Sequence, residues 1–363
     1  MLTVYMEKML KNKKTAVVIA VLISLLLSSC AGMPGINRKS AEPKGKAYFS
    51  YFDTVSYVYS YAGDPEKKFD ERCAAVSDIL GEYHELFDIY HEYSGKVNLC
   101  TVNKNAGGEP LKVDDKLIAF LLRAKELYTL TDGEMNVMLG SVLKIWHDCR
   151  ETAENDPADA FVPEVSELAE AAEHADISLL EINEEESTVR ISDPDASIDV
   201  GAIGKGYAAE MAAMYLEQIG AESYVLNVGG NIRIVGTRPD GSGWNTAVRD
   251  PGGDGTAALE LVLADTACVT SGNYERFYVY EGRKYHHIID KDTLFPAEGL
   301  DSVTIITRDS CLADALSTAV FCMPYEEGSA LIESLTGTEA VWMLPGGEIR
   351  MSSGAEDLIR TVN

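Results

Sequence analysis

Residues 197–207 read SIDVGAIGKGY, a run that contains three glycines, one lysine and one aspartate. It follows a segment of alternating polarity and precedes an alanine-rich run that predicts a helix. A glycine-rich turn between a strand and a helix directs free backbone N–H groups at a ligand, and the helix dipole adds partial positive charge there. The run therefore favours a bound anion such as phosphate.

Two side chains of this run support that interpretation. Lys205 would add a formal positive charge, and Asp199 would either orient a polar ligand group or brace the turn. The alternative is that the glycines only make a tight turn, since the spacing matches neither the dinucleotide fingerprint nor the P-loop.

Elements on both sides of this turn predict the fold class. Helical periodicity covers 66–91, 114–131, 134–147, 166–175, 206–219, 311–322 and 325–335. Strand patterns cover 47–61, 177–182, 188–192, 223–227, 231–236, 244–249, 257–263, 266–270, 275–280 and 302–307, while 150–165 is acidic and irregular. Helices cluster early and strands follow, so we predict an α+β fold with an antiparallel sheet core and flanking helices, in a single domain over 47–363.

Composition limits the partners. The chain has 363 residues and a formal net charge of -27, which would repel phosphate backbones and argues against nucleic-acid binding. An anionic ligand must then be met by local groups: a helix N-terminus, a lysine or a divalent cation.

The N-terminus predicts a targeting segment. Four lysines precede an apolar run over 15–27 that is too short for a comfortable membrane span, and the run ends in Leu27-Ser28-Ser29-Cys30. This ending resembles a bacterial lipobox. We expect a signal peptide over 1–29, acylation of Cys30, a stalk over 30–46 and attachment to the outer face of the cell membrane. The alternatives are an ordinary signal peptide and an uncleaved anchor.

The remaining cysteines predict no metal or redox site. They are scattered without a CxxC pair, at Cys73, Cys100, Cys149, Cys268, Cys311 and Cys322. We expect mostly buried free thiols.

Two downstream stretches carry further chemistry. The histidines of YHHIID, residues 285–290, lie beside a strand end, where one is a candidate general base and the other is expected to be structural. Asp314 and Thr318 share one face of a predicted helix, and two oxygen ligands at this spacing suit Mg²⁺. The alternatives are that Asp314 interacts with the helix dipole and that the Thr318 hydroxyl bonds the backbone.

Taken together, these motifs resemble those of a known family. SIDVGAIGKGYA, LNVGGNIRIVG, HHIID and ADALSTA follow the order found in the FAD:protein FMN transferases, the ApbE family of flavin-transferring lipoproteins. YFDTVSY, LFDIYHEYSGKVNLCTVN and TDGEMNVMLGSVLKIWH resemble its upstream signatures. The resemblance runs from about residue 48 to 340.

The resemblance implies cleavage of FAD at its pyrophosphate and Mg²⁺-dependent transfer of FMN to a threonine or serine of a partner flavoprotein, with release of AMP. It implies metal ligands at Asp314, Thr318 and the Ala202 carbonyl, a base at His287 and flavin stacking on Tyr90. Glu134, Met135 and Asn136 would form an adenine-side loop. The implied FAD contacts are Phe52, Tyr90, Glu134, Met135, Asn136, Asp199, Lys205, His287 and Ile288.

One segment departs from the family pattern. The family usually continues Asp-Pro-x-Thr-Gly-x-Pro after its histidine, whereas residues 290–296 read DKDTLFP. Lysine and leucine replace the proline and the glycine, so the turn that positions His287 is expected to differ.

The same motifs are compatible with two other functions. In an FAD pyrophosphatase, water would replace the partner hydroxyl and free FMN would appear. A non-enzymatic lipoprotein would bind flavin without turnover.

Overall fold

The structure is a computed structural model that describes residues 43–253 and 256–360. The predicted signal peptide, Cys30 and most of the predicted stalk lie outside the described residues. Among the helices of the described part, none has the length and hydropathy that a membrane crossing needs.

Eight α-helices occur in the described residues, most of them amphipathic. They are α1 Glu66–Phe87, α2 Leu99–Lys104, α3 Asp115–Leu130, α4 Gly140–Asn155, α5 Val165–Ala172, α6 Gly204–Gln218, α7 Ser310–Cys322 and α8 Tyr325–Ser334.

The strands are short, and most are joined to their neighbours by tight turns. They are β1 Lys44–Tyr51, β2 Thr54–Ser60, β3 Leu111–Lys112, β4 Leu180–Asn183, β5 Thr188–Ile191, β6 Tyr224–Val228, β7 Asn231–Val235, β8 Trp244–Arg249, β9 Ala257–Leu263, β10 Ala267–Gly272, β11 Phe277–Tyr280, β12 Arg283–His286, β13 Ser302–Thr307, β14 Glu339–Met343 and β15 Ile349–Met351.

An eight-stranded antiparallel sheet is the central layer, in the order β1-β2-β6-β7-β10-β13-β14-β15. Alternate residues of β14 face opposite sides: Trp342 packs in the cluster beneath α7, and Val341 packs in the cluster beneath the β8-β9 hairpin. Both faces are therefore covered, which explains why β13 is buried along its whole length. The predicted α+β class with an antiparallel sheet is confirmed.

A buried ion network ties helix α6 to the sheet. Arg233 of β7 is almost fully buried and donates to Glu210 and Glu217 of α6 over 2.9 and 2.8 Å. Glu210 also accepts the backbone N–H of Ser310 over 2.7 Å, at the start of α7. Because each buried charge has a partner, the network sets how α6 and α7 lie against each other.

Several sequence predictions differ from the structure, among them the helix predicted over 66–91, which ends at Phe87. The strand predicted over 47–61 is the β1-β2 hairpin, because Phe52 and Asp53 adopt positive φ angles of 54° and 50° and reverse the chain. The helix predicted over 134–147 begins only at Gly140, since Leu139 pairs with Ser197 instead. Helix α4 then continues to Asn155, into the stretch expected to be irregular.

The cysteine prediction is confirmed. The six cysteines of the described residues are free, and five of them are buried.

Candidate active site

The glycine-rich turn before α6 is braced from within. Asp199 Oδ1 accepts the backbone N–H of Gly201 over 2.8 Å, and the Asp199 N–H donates to the carbonyl of Val137 over 2.8 Å. Lys205 Nζ donates to the Gly201 carbonyl over 3.3 Å. Burial raises the pKa of Asp199, and this is opposed by the Gly201 N–H and by the charges of His147, Arg276 and Lys205.

Helix α7 meets this turn at a glycine. The N–H of Gly206 donates to Asp314 Oδ2 over 2.8 Å. A Cβ at Gly206 would lie 2.4 Å from the Ser310 carbonyl oxygen and 2.5 Å from Asp314 Cβ, so only glycine permits this approach. This contact brings helix α6, which carries Lys205, next to Asp314 of α7.

Asp314 is a buried carboxylate that forms no ion pair with any residue of the described part of the chain. Burial raises its pKa, while the charge of Lys205, the Gly206 N–H and the Asn231 amide, which lies nearby but outside hydrogen-bond geometry, oppose the rise. The nitrogen of that Asn231 amide is buried and has no hydrogen-bond partner among the described residues. A polar group left unmatched beside a buried acid is typical of a binding site.

Thr318 lies one helical turn after Asp314 and is half-buried. Within 43–253 and 256–360, neither the Thr318 hydroxyl nor Asp314 Oδ1 takes part in a hydrogen bond. The neighbouring Ser317 donates to the Asp314 carbonyl over 2.9 Å, and Asp309 caps the helix by accepting two backbone N–H groups. In this helix the capping bonds belong to Asp309, and the neighbouring side-chain-to-backbone bond belongs to Ser317.

The two adjacent histidines have different environments. His286 is buried, its Nε2 lies 3.0 Å from the Ala297 carbonyl oxygen, and its Nδ1 accepts the backbone N–H of Ile288 over 3.3 Å. These partners assign the proton to Nε2 and make His286 the structural member of the pair, as expected. Ile288 is itself buried in the core, where only its main chain is available to a ligand.

His287 has the properties of a free base. Its Nδ1 is buried and has no hydrogen-bond partner among the described residues. Burial, followed by the charges of Arg276 and Lys205, lowers its pKa to about 3. The imidazole is therefore neutral at pH 7.

Two arginines of this cluster were not predicted from the sequence. Arg276 belongs to the turn between β10 and β11, has a φ of 21° and forms no ion pair with any described residue. Arg150 lies on α4 and pairs with Glu154 over 3.5 Å. Both charges lower the pKa of His287, so both lie near it. Arg150 lies in the stretch predicted to be irregular and Arg276 in a predicted strand, and neither pattern marks a site residue.

Tyr90 lies at the mouth of the same cluster. Its side chain is 55% exposed, and its ring centroid lies 5.3 Å from that of His147 at a tilt of 33°. Partial burial of the phenol and the charge of Asp199 raise its pKa to about 12. An exposed ring beside Asp199 is well placed for stacking on a planar ligand.

Phe52 lies further out, at the β1-β2 turn. Its N–H donates to His84 Nδ1 over 3.3 Å, and its ring packs edge-on against the same histidine with centroids 5.5 Å apart. His84 in turn packs against Tyr93, which lies in the loop that carries Tyr90.

The predicted adenine-side loop offers one side chain that is neither packed in the core nor bonded to the main chain. Met135 is 1% exposed and packs in the core, and the Asn136 amide donates to the Ala175 carbonyl over 2.8 Å. Glu134 is 16% exposed and pairs with Lys291 over 3.2 Å. A ligand would meet Glu134 and the main chain here.

One cluster of acidic and imidazole groups lies away from the proposed metal ligands. In the described residues, the cluster of three carboxylate or imidazole groups is His174, Asp193 and Asp195. His174 Nδ1 and Asp193 Oδ2 are 2.8 Å apart and partly exposed. The cluster does not include Asp314 or Thr318.

Comparison with known proteins identifies the family. The model of the ApbE family matches residues 54–342. The chain belongs to the ApbE family. The resemblance found in the motifs is thereby confirmed, and the chain is a transferase, as predicted.

Relatives cover nearly the whole chain. The FAD:protein FMN transferase of Treponema pallidum is 30% identical over 362 residues, or 95% of this chain and 96% of the relative. That of Klebsiella pneumoniae is 27% identical over 78% of this chain and 86% of the relative. The crystal structure of the ApbE protein from Thermotoga maritima superimposes with a TM-score of 0.77 and 26% identity, covering 88% of this chain and 100% of that protein.

Proposed function

We propose that this chain transfers FMN from FAD to a threonine or serine hydroxyl of a partner flavoprotein, with Mg²⁺ as its metal and AMP as the second product. The names of its relatives support the transfer. The observation that carries the rest is the Gly206–Asp314 contact, which joins a buried carboxylate to the lysine-bearing turn in the neighbourhood of His287.

Diphosphate binding follows from the local charge. FAD carries two negative charges on its diphosphate, and the chain as a whole has a net charge of -27. Lys205, Arg276 and the backbone N–H groups of the glycine-rich turn would offset those charges at close range. These local positive groups would outweigh the repulsion between FAD and the net negative charge of the chain.

The residues present suit a magnesium ion. Asp314 and Thr318 would hold it through a carboxylate and a hydroxyl oxygen that have no competing hydrogen bonds within the described residues, and the Ala202 carbonyl would add a third ligand. When bound, the ion would neutralise charge on the phosphate oxygens and on the departing AMP.

His287 would accept the proton of the incoming hydroxyl. The hydroxyl oxygen attacks the FMN phosphorus, the bond from that phosphorus to the bridging oxygen breaks, and the proton remains on the imidazole. A base with a pKa of about 3 is weak in the free protein. Burial is the largest cause of this shift and would persist with FAD bound, but the negative charge of the diphosphate would offset Arg276 and Lys205 and raise the pKa of His287 by their share.

The test uses the purified chain with FAD, Mg²⁺ and a flavoprotein domain that carries a candidate threonine. We expect the mass of the domain to rise by one FMN, with equimolar AMP, and no change for the threonine-to-alanine domain. His287→Asn should slow transfer by at least about 100-fold, the range that a positioned base contributes.

The same experiment separates the two other functions. Soluble FMN and AMP without flavin on the acceptor would identify a pyrophosphatase. Bound FAD that is never cleaved would identify a flavin-binding lipoprotein, which has no use for a free base beside a metal-ligand pair.

We further propose that the chain is anchored by lipid on Cys30 at the outer face of the cell membrane. Its acceptors would then be flavoproteins of a membrane electron-transfer chain or extracellular flavin carriers. Cys30→Ser should release the protein from the membrane fraction, and the wild-type N-terminus should carry the mass of acyl chains.

A further inference from the structure

The turn after His287 is held to a distant loop by one ion pair. Lys291 Nζ lies 3.2 Å from Glu134 Oε1, and the side chains of the two residues are 28% and 16% exposed. Lys291 also contacts Asp292 at 2.9 Å, but Asp292 is 75% exposed. The pair with Glu134 is the better shielded of the two and is expected to be the stronger one.

Hydrogen bonds join the residues on both sides of Lys291 into one turn, which follows His287 directly in the chain. Asp290 Oδ1 accepts the N–H groups of Asp292 and Thr293, both over 2.8 Å. The Asp290 N–H donates to Phe295 O over 2.9 Å, and the Leu294 N–H donates to Asp290 O over 2.8 Å. A shift of Lys291 would therefore move the whole turn and, through Ile288 and Ile289, the imidazole.

Glu134 is connected to the other side of the site. Three residues later, the carbonyl of Val137 accepts the N–H of Asp199 over 2.8 Å. Asp199 in turn holds the glycine-rich turn through Gly201. In the described part of the chain, the Lys291–Glu134 pair is the ion pair that joins segment 287–296 to segment 131–137.

The sequence at this place differs from the family pattern, in which proline stands where this chain has Lys291. The backbone N–H of Lys291 makes no hydrogen bond with a described residue. A proline at this position, which lacks the N–H, would therefore lose no hydrogen bond. Asp290 begins a turn in which Lys291 is the second residue, a position where proline fixes φ. A side-chain ion pair here supplies a restraint that a proline ring would supply within the backbone.

We propose that Lys291 is a positioning residue: its ion pair with Glu134 fixes the turn that carries His287 against the loop that braces Asp199. This inference rests on the proposed function for its effect on catalysis, but the restraint itself is testable without any transfer. Lys291 acts through His287 and need not touch the substrate.

Hydrogen exchange on the free protein tests the restraint. In Lys291→Met, the amides of Asp290, Leu294 and Ala297 should exchange about 10-fold faster than in the wild type. Asp292→Asn is the matched control, because it removes the exposed partner of Lys291 and keeps Glu134, so its exchange should be unchanged. Equal exchange in Lys291→Met and the wild type would overturn the proposal.

Kinetics test the consequence. Lys291→Met should lower kcat about 10-fold or more with a smaller change in KM for FAD, since misplacement of a catalytic group by about 1 Å costs up to 10²-fold. Lys291→Arg and Lys291→Pro should each recover most of the lost rate and protection. A loss of kcat with unchanged hydrogen exchange would overturn the proposal, because Lys291 would then act on the substrate itself. A wild-type protein that transfers no FMN would refute the proposed function. The hydrogen-exchange experiment would still test whether Lys291 restrains the turn.

Discussion

Gly206 donates its backbone N–H to Asp314 Oδ2 over 2.8 Å, at a point where helices α6 and α7 are too close for any side chain. This contact joins the lysine-bearing turn to the proposed metal ligand. The position of the Asp314 carboxylate therefore depends on the absence of a Cβ atom at residue 206.

Gly206→Ala should therefore displace Asp314. We expect the free energy of unfolding to fall by about 1–3 kcal/mol, the usual cost of overpacking, and FAD turnover to fall at least about 10-fold. Gly204→Ala is the matched control on the same helix, because its Cβ would meet Phe87 at an ordinary 3.4 Å. Thermal unfolding and FAD turnover measure both variants, and equal behaviour of the two would contradict the prediction.

Asp314→Asn should separate metal binding from stability. The raised pKa of Asp314 means that its ionised form opposes folding at pH 7, so the neutral amide should leave the free energy of unfolding unchanged or raise it. The concentration of Mg²⁺ needed for half-maximal turnover should rise at least about 10-fold in Asp314→Asn and in Thr318→Val.

Ser317→Ala is the control for that pair. The Ser317 hydroxyl bonds Ser271 over 2.8 Å inside the core, so its loss should cost about 1 kcal/mol of stability without altering the Mg²⁺ requirement. An unchanged Mg²⁺ requirement in Asp314→Asn would refute the metal assignment.

The pKa of His287 predicts a dependence of stability on pH. It is lowered to about 3 in the folded protein, so between the unfolded value near 6.5 and pH 3 the unfolded state binds the extra proton. The contribution of neutral His287 to the free energy of unfolding is fully present above pH 6.5. It falls as the pH is lowered, by about 2 kcal/mol at pH 5.

Denaturant titrations at pH 7 and pH 5 measure this effect. Between pH 7 and pH 5, the free energy of unfolding of His287→Gln should fall by about 2 kcal/mol less than that of the wild type. Parallel curves for His287→Gln and the wild type would show that His287 titrates normally.

Arg276 should contribute to the binding of FAD through its charge. Arg276→Ala is expected to weaken FAD binding about 10-fold, within the range of a hydrogen bond to a charged group, and the loss should shrink at high salt. Arg283→Ala is the control, since Arg283 is exposed on β12 and pairs with Glu298 over 2.6 Å. Calorimetric titration with FAD compares the two, and equal affinities would remove Arg276 from the site.

Turn chemistry shows where local patterns fail. Leu294 adopts a φ of 62° at the position where the family pattern has glycine, and its carbonyl accepts the indole N–H of Trp146 over 2.9 Å. The turn forms although the proline and the glycine of the family pattern are both replaced. Trp146 and Glu134 hold it from outside, and neither partner is local in sequence.

The sequence by itself determined the α+β class, the glycine-rich turn before a helix, and the stacking of Asp314 and Thr318, because helical and strand periods depend on neighbouring residues alone. Only the tertiary structure decided that the helix after Gly133 begins at Gly140, that His287 is the free histidine, and that Arg150 and Arg276 lie near it. Those outcomes depend on which distant segments pack together. Packing is set by the burial and pairing of the whole chain, and it leaves no trace in local spacing.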